Sequence, residues 1–183
     1  SNLMETPTYI TSGATFPKDF EGAGNTLYRN NSNGTFTDVS IASGLDGGRQ
    51  QTWSSLCTDF DNRRDVDFYF INLGSPNQLF SNQRDGTFLN KAGSARITAD
   101  GNGIGVGIGD LAHESSLDLV LPKLTGTENW LWKLEKNHRY SPRVHWQPAD
   151  WDAPSQTHTT HFFDFDNDGD LDLLVVAAPL LNS

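Results

Sequence analysis

The segments NTLYRNNSNGTF from Asn25 and NQLFSNQRDGTF from Asn77 align without a gap, and NWLWKLEKNHRY from Asn129 aligns with both. They begin 52 residues apart. Each has Leu at its third position, an aromatic residue at its fourth and another aromatic residue at its twelfth. An internal period of this size is typical of repeat folds, so we read the chain as a series of related units.

A second series of segments alternates with the first. These acidic segments are SLCTDFDNRRDVDFYF from Ser55, VGIGDLAHESSLDLVL from Val106 and THFFDFDNDGDLDLLV from Thr160. Each unit then reads as strand a, a nine-residue acidic loop, an apolar strand b, the Asn-x-Leu-aromatic strand c, a tight turn and strand d. In the last segment Leu171, Leu173 and Val175 alternate with Leu174 and Val176, which predicts an inner strand b covered on both faces.

Units of about 50 residues with four strands each indicate an all-β chain folded as a β-propeller. The 183 residues provide about 3.5 blades of 52 residues, whereas a propeller closes with roughly 4 to 8. We therefore expect a fragment of a longer, signal-bearing protein whose remaining blades complete the ring. The predicted divisions are a partial blade over 1–45, a blade with a degenerate acidic loop over 46–97, a blade with a sparser acidic loop over 98–150, and the start of a blade with an intact loop over 151–183.

Composition and charge narrow the possible partners. The formal net charge is −10, with 13 Lys and Arg against 23 Asp and Glu. Without a basic patch, the chain lacks the electrostatic footprint of a nucleic-acid-binding protein. The longest apolar run, Leu173 to Leu181, is interrupted by Pro179 and is too short to cross a bilayer. We expect no nucleic-acid partner and no membrane insertion, and the single Cys57 cannot form an intrachain disulfide.

The last acidic segment has the most candidate metal ligands of the three. DFDNDGDLD places Asp164, Asp166, Asp168, Asp170 and Asp172 at loop positions 1, 3, 5, 7 and 9, with Gly169 at position 6. Alternate oxygen ligands around a glycine turn match Ca²⁺, and Asp170 is expected to contribute its backbone carbonyl. An EF-hand needs Glu at position 12, where this chain has Val175. The alternative is an acidic surface turn without metal.

The other two loops depart from this pattern. The second unit keeps Asp59, Asp61, Asp65 and Asp67, but Arg63 replaces the position-5 carboxylate and Arg64 replaces the glycine. We expect the guanidinium of Arg63 or Arg64 to neutralise these carboxylates in place of calcium. The third unit keeps three acidic residues, for which we expect weak or no metal binding: Asp110, Glu114 and Asp118.

Up-and-down connectivity predicts where a partner would bind. The acidic loops and the c-d turns share one end of each blade, which favours a structural role for calcium. The opposite end would carry Asp46 to Gln51, Gly74 to Pro76, Thr125 to Glu128 and an irregular stretch from Ser141 to Gln156. That stretch includes the ligand-face candidates His145, Trp146 and Trp151, because aromatic residues on a loop suit protein or sugar recognition. The alternative is that both tryptophans pack between blades.

The pattern D-x-D-x-D-G-x-x-D, followed by LDLLVV, N-x-L-[YF]-x-N and a DGTF turn, resembles FG-GAP/VCBS-type repeats. It is most similar to the ASPIC/UnbV group, the cartilage-acidic-protein-like proteins. The resemblance covers about residues 25–183. It implies an integrin-α-like seven-bladed propeller that is extracellular, periplasmic or attached to the cell surface, with calcium in the a-b loops.

The resemblance implies a role in adhesion or ligand binding. We accordingly expect a non-catalytic calcium-binding module that presents a face to a protein or carbohydrate ligand. The sequence contains no nucleophile elbow, phosphate loop or HExxH motif. The alternative is the propeller scaffold of a polysaccharide-active lyase or hydrolase, since paired carboxylates are abundant.

Overall fold

A computed structural model describes residues 13, 15, 19–98, 105–121, 129–146 and 155–179. Within these ranges the chain forms twelve strands and one helix of four residues. The elements are β1 (Tyr28–Asn30), β2 (Phe36–Asp38), α1 (Ser40–Ser43), β3 (Gln51–Thr58), β4 (Asp67–Leu73), β5 (Gln78–Asn82), β6 (Phe88–Asn90), β7 (Gly107–Gly109), β8 (Asp118–Leu121), β9 (Asn129–Leu134), β10 (Tyr140–Trp146), β11 (Ser155–Phe163) and β12 (Asp172–Pro179).

The strands form four open antiparallel sheets. Two are four-stranded, with the orders β3-β4-β5-β6 and β7-β8-β9-β10, and two are two-stranded ribbons, β1-β2 and β11-β12. Each strand therefore pairs with its neighbour in sequence, as a repeat of up-and-down units requires. The all-β prediction is confirmed, and strands a to d form where the repeat pattern places them. The division of the chain into blades stays a prediction.

The two four-stranded sheets share one register between their second and third strands. In the second unit Phe68 lies opposite Phe80, and in the third unit Leu119 lies opposite Trp132. These pairs occupy equivalent positions of the repeat, counted from the first Asp of the acidic loop and from the Asn that begins strand c. Equal sequence spacing has thus produced equal hydrogen-bond registers.

Alternate residues of the inner strands pack against different neighbouring units. Tyr69 and Ile71 of β4 are fully buried in one cluster with Leu119 and Leu121 of β8, so this cluster joins the second and third units. On the other face of β4, Phe70 packs with residues of the first unit, including Leu27 and the loop residue Leu45. The hydrophobic effect thus stabilises the face-to-face packing of the sheets. Strand β4 is buried on both faces, as its sequence predicts.

The third and fourth units approach each other through glycine. A Cβ atom added to Gly107 would lie 2.7 Å from Thr160 Oγ1, and one added to Gly109 would lie 2.9 Å from Leu171 Cδ1. These distances are shorter than van der Waals contact, so β7 can lie against β11 only because its two glycines lack side chains.

The fourth unit departs from the expected burial. Strand β12 was expected to be covered on both faces, yet Leu174 is 47% exposed and Val176 is 43% exposed. Leu173 and Val175, on the other face, are partly buried. That expectation is wrong for β12 as the structure describes it, because the face that carries Leu174 and Val176 is only partly covered.

The stretch Ser141–Gln156 is also more regular than its three prolines suggest. Residues 141–146 belong to strand β10, which pairs with β9, and Ser155 and Gln156 begin β11. The prediction of an irregular loop is therefore wrong at both ends of the stretch. Pro142 is tolerated because β10 is an edge strand and its register shifts between Pro142 and Val144.

Some predicted features lie outside the described residues. These are Trp151, the segment Thr125 to Glu128 and most of residues 1–24. Among the residues that the structure does describe, no helix has the length and apolar character needed to cross a bilayer.

Candidate metal centre

The three acidic loops share one backbone conformation. Positions 4 and 6 are left-handed in every loop, with φ of 56° and 64° at Asn62 and Arg64, 53° and 57° at His113 and Ser115, and 61° and 94° at Asn167 and Gly169. Position 6, where the last loop has Gly169, thus has positive φ in all three loops. Only the last loop has a glycine there, so Arg64 and Ser115 adopt a conformation that L-residues rarely occupy.

The position-1 carboxylate organises each loop. Asp164 accepts hydrogen bonds from the backbone N–H groups of Asp168 at 3.1 Å and Gly169 at 3.0 Å. Asp59 and Asp110 accept the equivalent pairs at 2.8 to 3.0 Å. Since the bonds are the same in all three loops, this arrangement forms whether or not the remaining carboxylates are present.

The position-9 aspartate ties the loop to the sheet. Asp67 is fully buried and accepts hydrogen bonds from the backbone N–H groups of Phe60, at 3.1 Å, and Asn82, at 2.8 Å. Asp118 is also fully buried and accepts from Leu134 N–H. Asp172 accepts from Phe165 N–H at 3.0 Å. These bonds fix the loop against its own second residue and, in the second and third units, against strand c.

The last loop brings together three of its five carboxylates. Oxygens of Asp164, Asp166 and Asp172 lie within 4.8 Å of one another. Asp168 lies outside this group, and one of its oxygens accepts a bond from Asp170 N–H at 2.9 Å. The Asp170 carboxylate lies outside it as well, 3.0 Å from His113 Nε2 of the third unit, as expected if its carbonyl is the ligand.

The Asp59 loop gathers its carboxylates more completely. Oxygens of four residues lie within 4.8 Å of one another, and the residues are Asp59, Asp61, Asp65 and Asp67. The Arg63 Nε lies 2.8 Å from Asp61, and a second Arg63 nitrogen lies 3.9 Å from Asp65. Arg63, rather than Arg64, therefore neutralises this group.

A second arginine, Arg84, also pairs with this group. It reaches from the c-d turn to place its Nε 2.7 Å from Asp65. The sequence analysis did not find this residue, although the prediction that acidic loops and c-d turns share one end gave the signal. Two guanidinium groups thus face four carboxylates, and Asp61 Oδ1 and Asp65 Oδ1 are buried without a hydrogen-bond partner among the described residues.

Among the four carboxylates of this group, Asp67 has a clearly raised pKa. Burial, and after it the negative charges of Asp61 and Asp65, raise the pKa of Asp67 to about 6, against the backbone bonds from Asn82 and Phe60 that lower it. The rise reflects first the burial of Asp67 and then its two acidic neighbours. A bound cation would lower that pKa again.

The Asp110 loop does not gather its acidic residues. Among the described residues, Asp110, Glu114 and Asp118 do not form a group with converging oxygens, and Glu114 instead pairs with Lys133 Nζ at 2.8 Å. The loop contributes His113 to the neighbouring unit, and the hydrogen bond with Asp170 raises the pKa of His113. The expectation of weak or no metal binding here stays a prediction.

The ligand-face candidates lie away from the acidic loops. His145 and Trp146 lie at the C-terminal end of β10, where they pair with Trp130 and Asn129. In the second unit, Gly47 at the opposite end accepts a hydrogen bond from the Gln78 side chain at 3.2 Å. Arg63 contacts Asn82 at the loop end, so the predicted separation of the two ends is confirmed for this unit.

A scan of the chain against protein-family models found no match, and a search of the curated proteins found none either.

Proposed function

We propose that this chain is a calcium-binding module of β-propeller blades whose Asp164 loop holds one structural Ca²⁺. The observation that carries the proposal is the convergence of Asp164, Asp166 and Asp172 oxygens within 4.8 Å. Carboxylate oxygens at alternate positions of a tight turn are the donors that Ca²⁺ prefers. The repeat register and the face-to-face packing of successive sheets support the propeller.

The donor set suits Ca²⁺ better than a transition metal, because every residue of the group offers oxygen and none offers sulfur or imidazole nitrogen. Asp166 and Asp168 are exposed and keep freedom to move, which suits the flexible, high-coordination geometry of Ca²⁺. On binding, we expect Asp168 to leave Asp170 N–H and join the three converged carboxylates, and the Asp170 carbonyl to complete the loop's contribution.

The role of this ion is to hold strand a against strand b. Five carboxylates within nine residues repel one another, and a divalent cation converts that repulsion into attraction. Because Asp172 begins β12 and Asp164 directly follows β11, the ion would pin both strands of the fourth unit at one end. We propose that a partner would bind at the opposite end of the unit.

The module is proposed to be non-catalytic and to present that opposite end to a protein or carbohydrate ligand. Extracellular modules with loops of this kind bind Ca²⁺ with dissociation constants of about 0.1 to 1 mM. Such affinity suits an extracellular, periplasmic or cell-surface setting, where calcium is abundant. The alternative of a polysaccharide-active scaffold stays a prediction.

The proposal is tested by calorimetric titration of the metal-stripped chain with CaCl₂, beside the variant Asp166→Asn. Asp166 accepts no hydrogen bond from the described part of the chain, so its substitution leaves the folded loop intact while removing a ligand. We expect about one equivalent bound by the wild type, and at least a tenfold weaker affinity in the variant, given about 1.4 kcal/mol per factor of ten.

Two controls make the result decisive. Asp19→Asn removes one charge far from the acidic loops along the chain and is expected to leave calcium affinity unchanged. Titration with MgCl₂ is expected to give weaker binding, because Mg²⁺ requires a more rigid octahedral site. A chain with native circular dichroism that binds no calcium, or an Asp166→Asn variant that binds as tightly as wild type, would overturn the proposal.

A further inference from the structure

A cavity lies between the second and third units, at the end that carries the acidic loops. It has a volume of about 440 Å³, within the roughly 300 to 1,000 Å³ of small-molecule sites. Its wall combines Arg63 of the acidic loop with Lys91, which follows β6, and with the c-d turn of the third unit, Asn137–Arg139. All residues of the wall lie between Phe60 and Arg139 in the chain, so the cavity is formed by the two four-stranded units alone.

Three positive residues of this wall depart from the repeat pattern. They replace acidic or uncharged residues at equivalent positions of other units. The replacements are Arg63 for Asp168, Lys91 for Val39, and Arg139 for Thr35 and Thr87. Other units form the same loop and the same turn without these charges. The departures of two adjacent units thus meet at one cavity, in a chain whose formal net charge is −10.

The c-d turn of the third unit is also less favourable than its equivalents. The first two units have Gly34 and Gly86 in this turn, with φ of 84° and 89°, whereas the third has His138 with φ of 56°. A left-handed conformation is unfavourable for an L-residue but not for glycine. The next residue in the first two units is a threonine whose hydroxyl donates a 2.6 Å bond that closes the turn, and Arg139 has no hydroxyl. Strain retained beside a cavity points to a function there.

Two of the three cations are available to a ligand. Arg63 is paired at 2.8 Å with Asp61, the acidic residue among those that line the cavity. Within the described part of the chain, neither Lys91 nor Arg139 forms an ion pair. The remaining carboxylates of the Asp59 loop do not line the cavity. Since Arg63 and Asp61 compensate each other, the wall keeps two uncompensated positive charges, one from each unit.

The rest of the wall suits a sugar better than a bare ion. It combines hydroxyl and amide side chains with an apolar base, and an inorganic ion would use neither. The hydroxyl and amide residues are Ser81, Gln83, Ser94 and Asn137, and the apolar residues are Phe60 and Ala95. Phe60 and Ala95 are only 4% and 2% exposed, so they lie at the base of the cavity. Apolar walls with a few polar groups that fix orientation are typical of sites for small organic ligands.

We propose that this cavity binds a sugar that carries a carboxylate or sulfate group. Lys91 and Arg139 hold the oxyanion from two adjacent units, through the charge-assisted hydrogen bonds that bind oxyanions most strongly. The side chains of Ser94 and Asn137 bond the sugar hydroxyls. The site lies at the acidic-loop end and not at the opposite end, and it requires no metal, so the inference goes beyond the proposed function.

The first test is calorimetric titration of the folded chain in a chloride buffer with glucuronate, sulfated glucose, glucose and sodium sulfate. We expect saturable binding of glucuronate or of sulfated glucose, and the tighter of the two identifies the acidic group. Lys91→Gln and Arg139→Gln should each weaken that binding about tenfold, as expected for the loss of one charge-assisted hydrogen bond. Lys91 is partly exposed and Arg139 is exposed, so both variants should keep the circular dichroism of wild type.

A second variant separates this role from a structural one. His138→Gly with Arg139→Thr restores the turn of the first unit, Asn33-Gly34-Thr35. The variant should have a higher melting temperature, because it removes the left-handed strain and returns the hydroxyl bond. It should also bind the acidic sugar about tenfold more weakly, because it lacks the guanidinium group. A turn with a structural role alone would gain stability without any change in affinity, and that result would contradict the proposal.

The matched control is Arg29→Gln, which removes an exposed cation of the first unit that does not line the cavity. Its affinity for the acidic sugar should equal that of wild type. The inference is overturned by a folded wild type that binds neither acidic sugar, by glucose that binds as tightly as glucuronate, or by inorganic sulfate that binds as tightly as sulfated glucose. Sugar binding that survives both Lys91→Gln and Arg139→Gln would place the ligand elsewhere and would also overturn it.

The failures of this inference and of the proposed calcium site are distinguishable. A chain that binds one Ca²⁺ but no acidic sugar refutes the sugar site alone. A chain that binds an acidic sugar through Lys91 and Arg139 but binds no Ca²⁺ refutes the metal site alone.

Discussion

The double substitution Arg63→Asp with Arg64→Gly should convert the Asp59 loop into a second calcium site. It restores a carboxylate at position 5 and a glycine at position 6, the two differences from the Asp164 loop that involve Arg63 and Arg64. The backbone is already suitable, because Arg64 has φ of 64° and the position-1 bonds of Asp59 are in place.

The change in stability without calcium follows from three terms. Without calcium, the variant loses the ion pair at 2.8 Å between Arg63 and Asp61, which contributes up to about 1 kcal/mol for a partly exposed pair. It also gains a carboxylate that repels its neighbours. Glycine at position 64 relieves about 1 kcal/mol of left-handed strain. The lost ion pair and the relieved strain offset each other, so the repulsion decides the sign. We expect the metal-free variant to be less stable than wild type by about 1 kcal/mol, the interaction of two unit charges about 4 Å apart in water.

With calcium present, the variant is expected to be more stable than wild type. At a free calcium concentration about ten times the dissociation constant, binding to the new site stabilises the folded state by about 1.4 kcal/mol. Calorimetry should then count about two equivalents per chain instead of one, and urea unfolding in calcium and in chelator should bracket the change. Arg84 still pairs with Asp65 in the variant, which is compatible with a ligand role for the position-7 carbonyl.

Two further variants separate the causes. Arg64→Gly alone relieves strain but leaves Arg63 on Asp61, so it should add no calcium binding. Asp61→Asn in the double-variant background should remove the second equivalent. A folded double variant that binds the same amount of calcium as wild type would refute the reasoning that Arg63 takes the place of the ion.

Three other outcomes are expected. In the presence of chelator, the pKa of Asp67 is about 6 in the folded chain, against an ordinary value of 3.8. Because the folded state keeps a proton that the unfolded chain loses, the unfolding free energy of wild type relative to that of Asp67→Asn should fall as pH rises from about 4 to 6. A difference in urea unfolding that stays constant over this pH range would contradict the prediction. Ile71→Ala, at a fully buried residue between two units, should lower the unfolding free energy by about 2–5 kcal/mol, while Ile41→Ala at an exposed residue changes it by less than about 0.5 kcal/mol. Gly107→Ala would place a Cβ 2.7 Å from Thr160 Oγ1 and should lower the melting temperature by an amount corresponding to about 1–3 kcal/mol.

The sequence predicted the elements that a local pattern determines. The 52-residue spacing located strands a to d, and the acidic loops fell between strands a and b. It did not predict contacts that depend on how elements approach. Arg84 reaches Asp65 from a turn 19 residues away, and His113 reaches Asp170 from another unit. The first pair depends on how a turn folds back on the acidic loop of its own unit and the second on how two sheets stack, and the strand pattern determines neither.

The prediction of an irregular loop over Ser141–Gln156 failed because of where its first proline lies. Pro142 excludes a central strand, yet β10 is an edge strand and its register shifts at that residue. The exposure of Leu174 and Val176 could not be predicted from the sequence either. The apolar pattern of β12 indicates which faces can be buried and not which neighbouring element buries them.

The acidic pattern contains two kinds of aspartate, and only one kind indicates whether a loop can bind a metal ion. Positions 1 and 9 hold the loop together: Asp110 receives the position-5 and position-6 N–H groups and Asp118 receives Leu134 N–H, in a loop whose other carboxylates do not converge. These two aspartates are required for the turn even without an ion. The side chains at positions 3 and 5 do not accept these loop-closing backbone bonds, so their carboxylates are the ones that calcium would require. Asp166 and Asp168 satisfy this criterion in the last loop, whereas Arg63 removes one of the pair in the second unit and Ala112 removes one in the third. By that criterion, a repeat of this type binds calcium only when both positions are acidic, and the number of Asp residues in the loop is a poor guide.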